Sequence, residues 1–413
     1  MTTKNVDIVV VGAGSAGIAA SIAAANQGKH VLVLEKQAYG GGKATAAQVG
    51  TICGLFHQGY DHPKWLAKGY ARRFAEKILK CAASKMLSSE EGLHFIHYSI
   101  DDFKTIVNNE FKENNVEVWY DAHVTETYSN DGCIYSIGIL YDGNVIQVEC
   151  RAVIDCSGQA VISELLGLEQ ITSPIYQAAS RVFTLVGLAD ESEKRLSLTI
   201  WRAIGRAIQK GQIAENFKNI FVVQGSVYRG KASFKLTIPL PVSHTDDNLR
   251  LLNSLSVEMI HSFVNFLAQQ NGFEYIQLHS IAEEVGVRTG PRPIGGVILT
   301  GEDVIGVKKF SDTIARSAWP VEKWSVDQQV QLHYLRKGEY YDIPSGCLQS
   351  KQVRNLFFAG RMISADEHAI ASARVMGVCL QTGYAAGVLA SCVIDEIDSS
   401  TAISLIQSKQ ILS

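Results

Sequence analysis

Charge is scarce in this chain. Of its 413 residues, 19% are Asp, Glu, Lys or Arg, and the formal net charge is −3. That balance gives no electrostatic reason to expect nucleic acid or an anionic membrane as a partner. Basic pairs such as Arg72-Arg73 stand alone and read as solvated surface. Paired cysteines are absent as well. The eight cysteines, at 53, 81, 133, 150, 156, 347, 379 and 392, never reach C-x-x-C spacing. Neither a zinc site nor a disulfide framework is expected, and a reducing cytosol suits them. No uninterrupted run of about 18 apolar residues occurs, so no membrane span is expected. The apolar run at 6–11 turns glycine-rich at once, as a buried strand does and a signal peptide does not. Missing too are G-x-S-x-G, H-E-x-x-H and a Walker loop. His94 and His97 lie three apart with no identifiable acid or cysteine partner, so no metal is expected.

What the chain does have begins at residue 6. VDIVVV at 6–11 reads as a buried parallel strand, residues 16–28 as a small-residue helix, and HVLVLE at 30–35 as a second parallel strand. Between strand and helix lies Gly12-Ala13-Gly14-Ser15-Ala16-Gly17, a G-x-G-x-x-G. Gly12 permits the tight turn, Gly14 lets backbone approach a pyrophosphate, and Gly17 lets helix and strand pack closely. The N–H groups at Ser15 and Ala16 open the helix, whose positive end suits phosphate. Glu35 closes the second strand about 20 residues on, where a carboxylate can accept from ribose hydroxyls, and Lys36 follows it. A terminal Glu argues against NADP, whose ribose phosphate wants an Arg.

Two later features favour FAD over NAD. Gly40-Gly41-Gly42-Lys43 follows the acidic strand end at once, and a glycine loop there can wrap a longer cofactor. Residues 355–361, NLFFAGR, read as a strand ending at a glycine, before an alanine- and glycine-rich helix at about 372–393. Other expected elements are a helix over 64–87, strands over 116–128, 133–140 and 145–155 with a hairpin turn at Asp142-Gly143-Asn144, and helices near 195–210 and 247–270. Residues after about 397 are polar and expected to fray. The expected fold class is α/β: a Rossmann-like FAD-binding domain from 1–165 and 286–400, with an inserted α+β substrate domain at 166–285.

The sequence resembles the FAD-dependent oxidoreductases of the glutathione-reductase-like superfamily, in particular the bacterial group related to succinate/fumarate-type flavoproteins and flavin hydroxylases. The resemblance covers nearly the whole chain and rests on residues 9–20, 33–36, 40–56, 152–158, 302–306 and 343–387. It implies that Gly12, Gly14 and Gly17 cradle the pyrophosphate and that Glu35 holds the adenosine ribose. It further implies that Val124 contacts adenine, that Asp155-Cys156-Ser157-Gly158 lies beneath the cofactor, that Gly360-Arg361 sits near the ribityl chain and that Gly377-Val378 sits near the flavin ring. Where relatives often carry an R-E-S-R-R type run, this chain has Arg288-Thr289-Gly290-Pro291-Arg292-Pro293.

The expected cofactor is non-covalent FAD, with NAD(P)H a candidate reductant. The flavin carries the redox chemistry, and the protein supplies position and electrostatics. His368 is a candidate acid/base, and Arg374, Arg288 and Arg292 are candidates for holding an anionic substrate or the flavin's edge. His57 follows the glycine loop and is weighed for the ring face, and covalent flavin linkage through His57 or Cys53 is weighed but has nothing in the sequence to support it. Trp201, Trp319 and Trp324 read as core or interface. Three function classes compete: hydride transfer between a small organic substrate and flavin N5, an NAD(P)H-dependent flavin monooxygenase, and a flavoprotein acting on a protein or peptide. A second G-x-G-x-x-G is missing, which argues against a two-nucleotide disulfide reductase. The W-x-W-x-I-P signature of flavin halogenases is missing too. Substrate identity and oligomeric state are not legible.

Overall fold

The computed structural model describes residues 3–189, 192–326 and 330–412. At its centre Ile8–Val11 is flanked by Val31–Leu34 and then Glu117–Trp119, and on its other side by Ala152–Asp155 and then Leu356–Phe358. All four pairings are parallel. Ile-Val-Val-Val and Val-Leu-Val-Leu are buried at every position, as strands covered on both faces must be. This is the Rossmann-like fold expected from the sequence.

One face of that sheet carries the helix Ser15–Ala25 and, lying on it, the helix Met376–Ile394. Small residues decide how near the two approach. A Cβ on Gly383 would overlap the Ala16 carbonyl, and one on Gly387 the Ala20 carbonyl. Gly383→Val is therefore expected to destabilise, although valine has the better helix propensity. Forcing the helices apart should cost about 3 kcal/mol or more. A melting temperature equal to that of the parent protein would defeat this expectation. Met376–Ile394 is long and apolar enough to cross a membrane, but 94% of its apolar window is buried here. Core packing accounts for its composition. The other face of the sheet packs on an antiparallel meander of His123–Asn130, Cys133–Tyr141 and Asn144–Glu149. Its last two strands join through Asp142 and Gly143, both at positive φ, which is the hairpin turn the sequence implied.

A second sheet is antiparallel throughout, in the order Ile220–Val222, Lys231–Thr237, Ser180–Val186, Gln277–Ile281. It has its own core, in which Phe183, Phe234, Phe263 and Phe217 pack with the helices Glu193–Gln209 and Asp246–Ala268. Strand alternation then fixes the rest. With Ala232, Phe234 and Leu236 turned to that core, Lys235 turns the other way, opposite Val182.

Four local expectations need correction. The helix over 64–87 is only Tyr70–Leu79, because Gly69 holds a positive φ before it and Lys85–Ser88 is a strand. The strand over 116–128 is two, Glu117–Trp119 and His123–Asn130, separated at Asp121 with its positive φ. The strand over 145–155 is likewise two, Asn144–Glu149 in the meander and Ala152–Asp155 in the parallel sheet. The tail does not fray at 397. Ser399–Gln410 is a helix, capped by the Asp398 carboxylate and anchored by buried Ile406 and Gln410.

Candidate functional site

A cleft of about 930 Å³ runs along the C-terminal ends of the parallel strands and on toward the second sheet. Its first end is built by the fingerprint. Gly12 has φ +97°, and a Cβ there would lie 2.7 Å from the Cys156 carbonyl oxygen. A Cβ on Gly17 would overlap the Gly12 carbonyl. Gly14 closes against the glycine loop: Gly41 N–H donates to the Ala13 carbonyl at 2.8 Å, and a Cβ on Gly42 would come within 2.9 Å of Gly14 Cα. Gly14 is the N-cap of Ser15–Ala25 and offers no side chain, and the first helical amide to bond back to it is that of Ile18. The amides of the first turn are thus left for a ligand, and the empty space where side chains would stand fits a pyrophosphate. Glu35 is 4% exposed and accepts from the amides of Ala13 (2.7 Å) and Gln37 (3.0 Å). Burial raises its pKa against the pull of those two amides. Each carboxylate oxygen keeps a lone pair for a ribose hydroxyl.

A strap from the second sheet closes over this end. Glu284 accepts from Lys43 and Gln37 and pairs with Lys36 at 3.5 Å. Lys43 also donates to the Val285 carbonyl at 3.0 Å. Burial opposes ionisation of Glu284, but Lys43 and Lys36 outweigh it and bring its pKa down to about 2. Burial lowers Lys43 to about 8 despite Glu284. Arg361 donates to the Val287 carbonyl, and its guanidinium fills the space that a Cβ on Gly158 would take.

The far end of the cleft has a different chemistry. Lys235, Arg288, Arg374, Glu322, Trp319, Trp324 and Cys53 all line it. Lys235 Nζ and Arg288 Cζ lie 4.3 and 4.1 Å from the centroid of the Trp324 ring. Arg374 pairs with Glu322 at 3.5 Å and donates to the Gln177 side-chain oxygen at 3.3 Å. Burial, helped by Arg288, lowers Lys235 to about 8. Burial would raise Glu322, but Arg374, Lys235 and Arg288 together hold it below the usual carboxylate range. Burial, helped by Glu322, drives the Cys53 thiol up to about 12, so it stands protonated and unreactive at neutral pH.

Of the residues singled out from sequence, Gly12, Gly14, Ser15, Ala16, Glu35, Lys36, Gly41, Gly42, Lys43, Val124, Ser157, Gly158, Gly360, Arg361 and Arg374 line this one cleft. Others do not. Gly17 sits behind the turn as a packing glycine. Gly377 donates its amide to the Cys53 carbonyl at 2.8 Å and, with Val378, backs the loop that carries Cys53. His368 is exposed, stands over Gly301 and lies outside the cleft. Arg292 is wholly buried, donates to the carbonyls of Ala365 (2.8 Å) and Gly290 (2.6 Å) and pairs with Glu367 at 3.1 Å. The Arg288–Pro293 turn therefore splits its two arginines between cleft and core. His57 packs between Tyr60 and Tyr340 outside the cleft. Trp319 is buried in the core as expected and also walls the cleft, Trp324 walls the cleft, and Trp201 is 66% exposed. Sequence reading missed Lys235 and Glu322. For Lys235 a signal existed: in KASFKLT the alternate positions are apolar, which leaves Lys235 on the opposite face.

Among curated proteins, digeranylgeranylglycerophospholipid reductase 2 of Methanopyrus kandleri is 28% identical over 191 residues, 45% of this chain and 46% of that protein. The match thus spans about half the length of that relative. Two solved structures show a loose similarity to this chain. A geranylgeranyl bacteriochlorophyll reductase-like protein of Thermoplasma acidophilum is 11% identical, with 98% of this chain and 83% of that one covered at TM-score 0.49. The p-nitrophenol 4-monooxygenase of Pseudomonas putida is 12% identical, with 99% and 84% covered at TM-score 0.44. The model of the FAD dependent oxidoreductase family matches residues 7–411, and the chain belongs to that family.

Proposed function

We propose that this flavoenzyme moves a hydride between N5 of non-covalently bound FAD and a small organic substrate held at the far end of the cleft. Bound FAD supplies the two-electron chemistry. The chain supplies the rest. First-turn amides of Ser15–Ala25 hold the pyrophosphate, Glu35 the ribose, and Val124 the adenine edge. The Glu284 strap fastens the cofactor loop, and residues 166–285 serve as the substrate module. The observation that carries this reading is the continuity of one cleft from the fingerprint to a chamber walled by Trp319, Trp324, Lys235 and Arg374. Such a chamber suits a small molecule better than a peptide. The protonated state of the Cys53 thiol favours a non-covalent flavin.

The test is anaerobic. The FAD-loaded protein should lose its absorbance near 450 nm on adding a suitable small metabolite alone. Bleaching by NAD(P)H instead, followed by oxygen incorporation into product, would replace the hydride-transfer reading with a monooxygenase. Failure of the purified protein to bind FAD at all would sink both.

A further inference from the structure

We propose that the far end of the cleft is a seat for an organic anion, a substrate whose carboxylate or phosphate settles among Lys235, Arg288 and Arg374. The word substrate rests on the hydride-transfer reading above; the seat itself does not.

Charge balance comes first. Three cations line this chamber against the one carboxylate of Glu322. Like charges gathered in a partly buried space are unfavourable unless an anion joins them. Donor balance points the same way. Arg374 Nε, Trp324 Nε1 and the Gln177 side-chain nitrogen are buried and have no hydrogen-bond partner. Lys235 Nζ has no hydrogen-bond acceptor among the described residues and lies over the Trp324 ring. All of these are donors. A neutral or cationic ligand would leave most of them unmet, whereas carboxylate and phosphate are acceptors throughout.

The arrangement is also built rather than incidental. Lys235 comes from a central strand of the second sheet, Arg288 from the segment after Gln277–Ile281, Glu322 from Val321–Lys323, and Arg374 from the break before Met376–Ile394. Four separate elements bring these groups to one end of the cleft, Lys235 and Arg288 against the Trp324 indole and Glu322 beside Trp319. The pyrophosphate cradle is made by other elements, at Gly12–Gly17, so the phosphates of FAD do not account for this second concentration of positive charge.

Isothermal calorimetry on the FAD-loaded protein at fixed ionic strength tests the seat, with benzoate, phenyl phosphate and uncharged benzamide as probes. At least one anion should bind about tenfold or more tightly than benzamide. Lys235→Met and Arg288→Met should each weaken that anion about tenfold and leave benzamide unchanged, with Arg288→Lys recovering part of the loss. The preferred anion tells carboxylate from phosphate. Equal affinity for charged and uncharged probes overturns the proposal, as does absence of binding by both anions. The comparison within the parent protein depends on no variant folding. Heats of binding do not require turnover. An anion that binds to a protein whose flavin no metabolite bleaches defeats the hydride reading and leaves the seat standing; bleaching without anion preference does the reverse.

Discussion

Gly17→Val is expected to strip FAD from the protein. The Cβ it adds would overlap the Gly12 carbonyl, and Gly12 is pinned by the Cys156 carbonyl on its other side. The turn has no free direction in which to yield. Either the helix Ser15–Ala25 lifts from the strand or Gly12 leaves its φ of +97°. Both movements scatter the first-turn amides proposed to hold the pyrophosphate, so affinity for FAD should fall by about a hundredfold or more. Helix propensity does not explain such a loss, since valine is the better helix former. Fluorescence titration of apoprotein with FAD measures the loss, and the ratio of flavin to protein absorbance after purification reports it qualitatively. A variant that purifies with a full complement of flavin would show that the fingerprint is not the cofactor's anchor.

Arg292→Met is expected to cost stability and not chemistry. The guanidinium is fully buried and is spent on the Ala365 and Gly290 carbonyls and the Glu367 carboxylate. Methionine fills much of the volume but satisfies none of these acceptors. Removing one member of such a buried pair costs about 3–5 kcal/mol. Denaturant melts should show that loss. At a temperature where the variant remains folded, flavin bleaching by substrate should proceed at the parent rate. A variant of parent stability with slow bleaching would return Arg292 to the catalytic role its place beside Arg288 suggests in the sequence.

The contrast between these two residues shows what a single sequence can reveal. The cofactor end was legible because its chemistry is local: strand, three glycines, helix, strand and acid follow one another within thirty residues, and each step has a steric or electrostatic reason. The far end was not, because Lys235, Arg288, Glu322 and Arg374 are far apart in the chain and meet only through tertiary folding. Arg292 and His368 were misplaced for a related reason. Residue type gives chemical capacity, while direction is set by pairing. Arg292 pairs with Ile171 in a short strand whose register turns it inward. His368 lies in the helix Glu367–Ala373, on the turn that faces Gly301 and solvent. The two-helix break at Arg374 and Val375 was hidden by a continuous run of small residues on both sides, yet that break is what aims Arg374 into the cleft. The fold class survived these local errors because buried parallel strands and close-packed small-residue helices leave few alternatives.

The contact between Ser15–Ala25 and Met376–Ile394 has a consequence during synthesis. The helix Ser15–Ala25 is apolar, and its cover, Met376–Ile394, is made much later in the chain. Until that cover is made, the fingerprint helix must stay exposed or be shielded by a chaperone. The parallel sheet is likewise incomplete until Leu356–Phe358 arrives. Closure of the parallel sheet therefore waits on a strand about 200 residues beyond its neighbour Ala152–Asp155, and such long-range closure is slow and prone to aggregation.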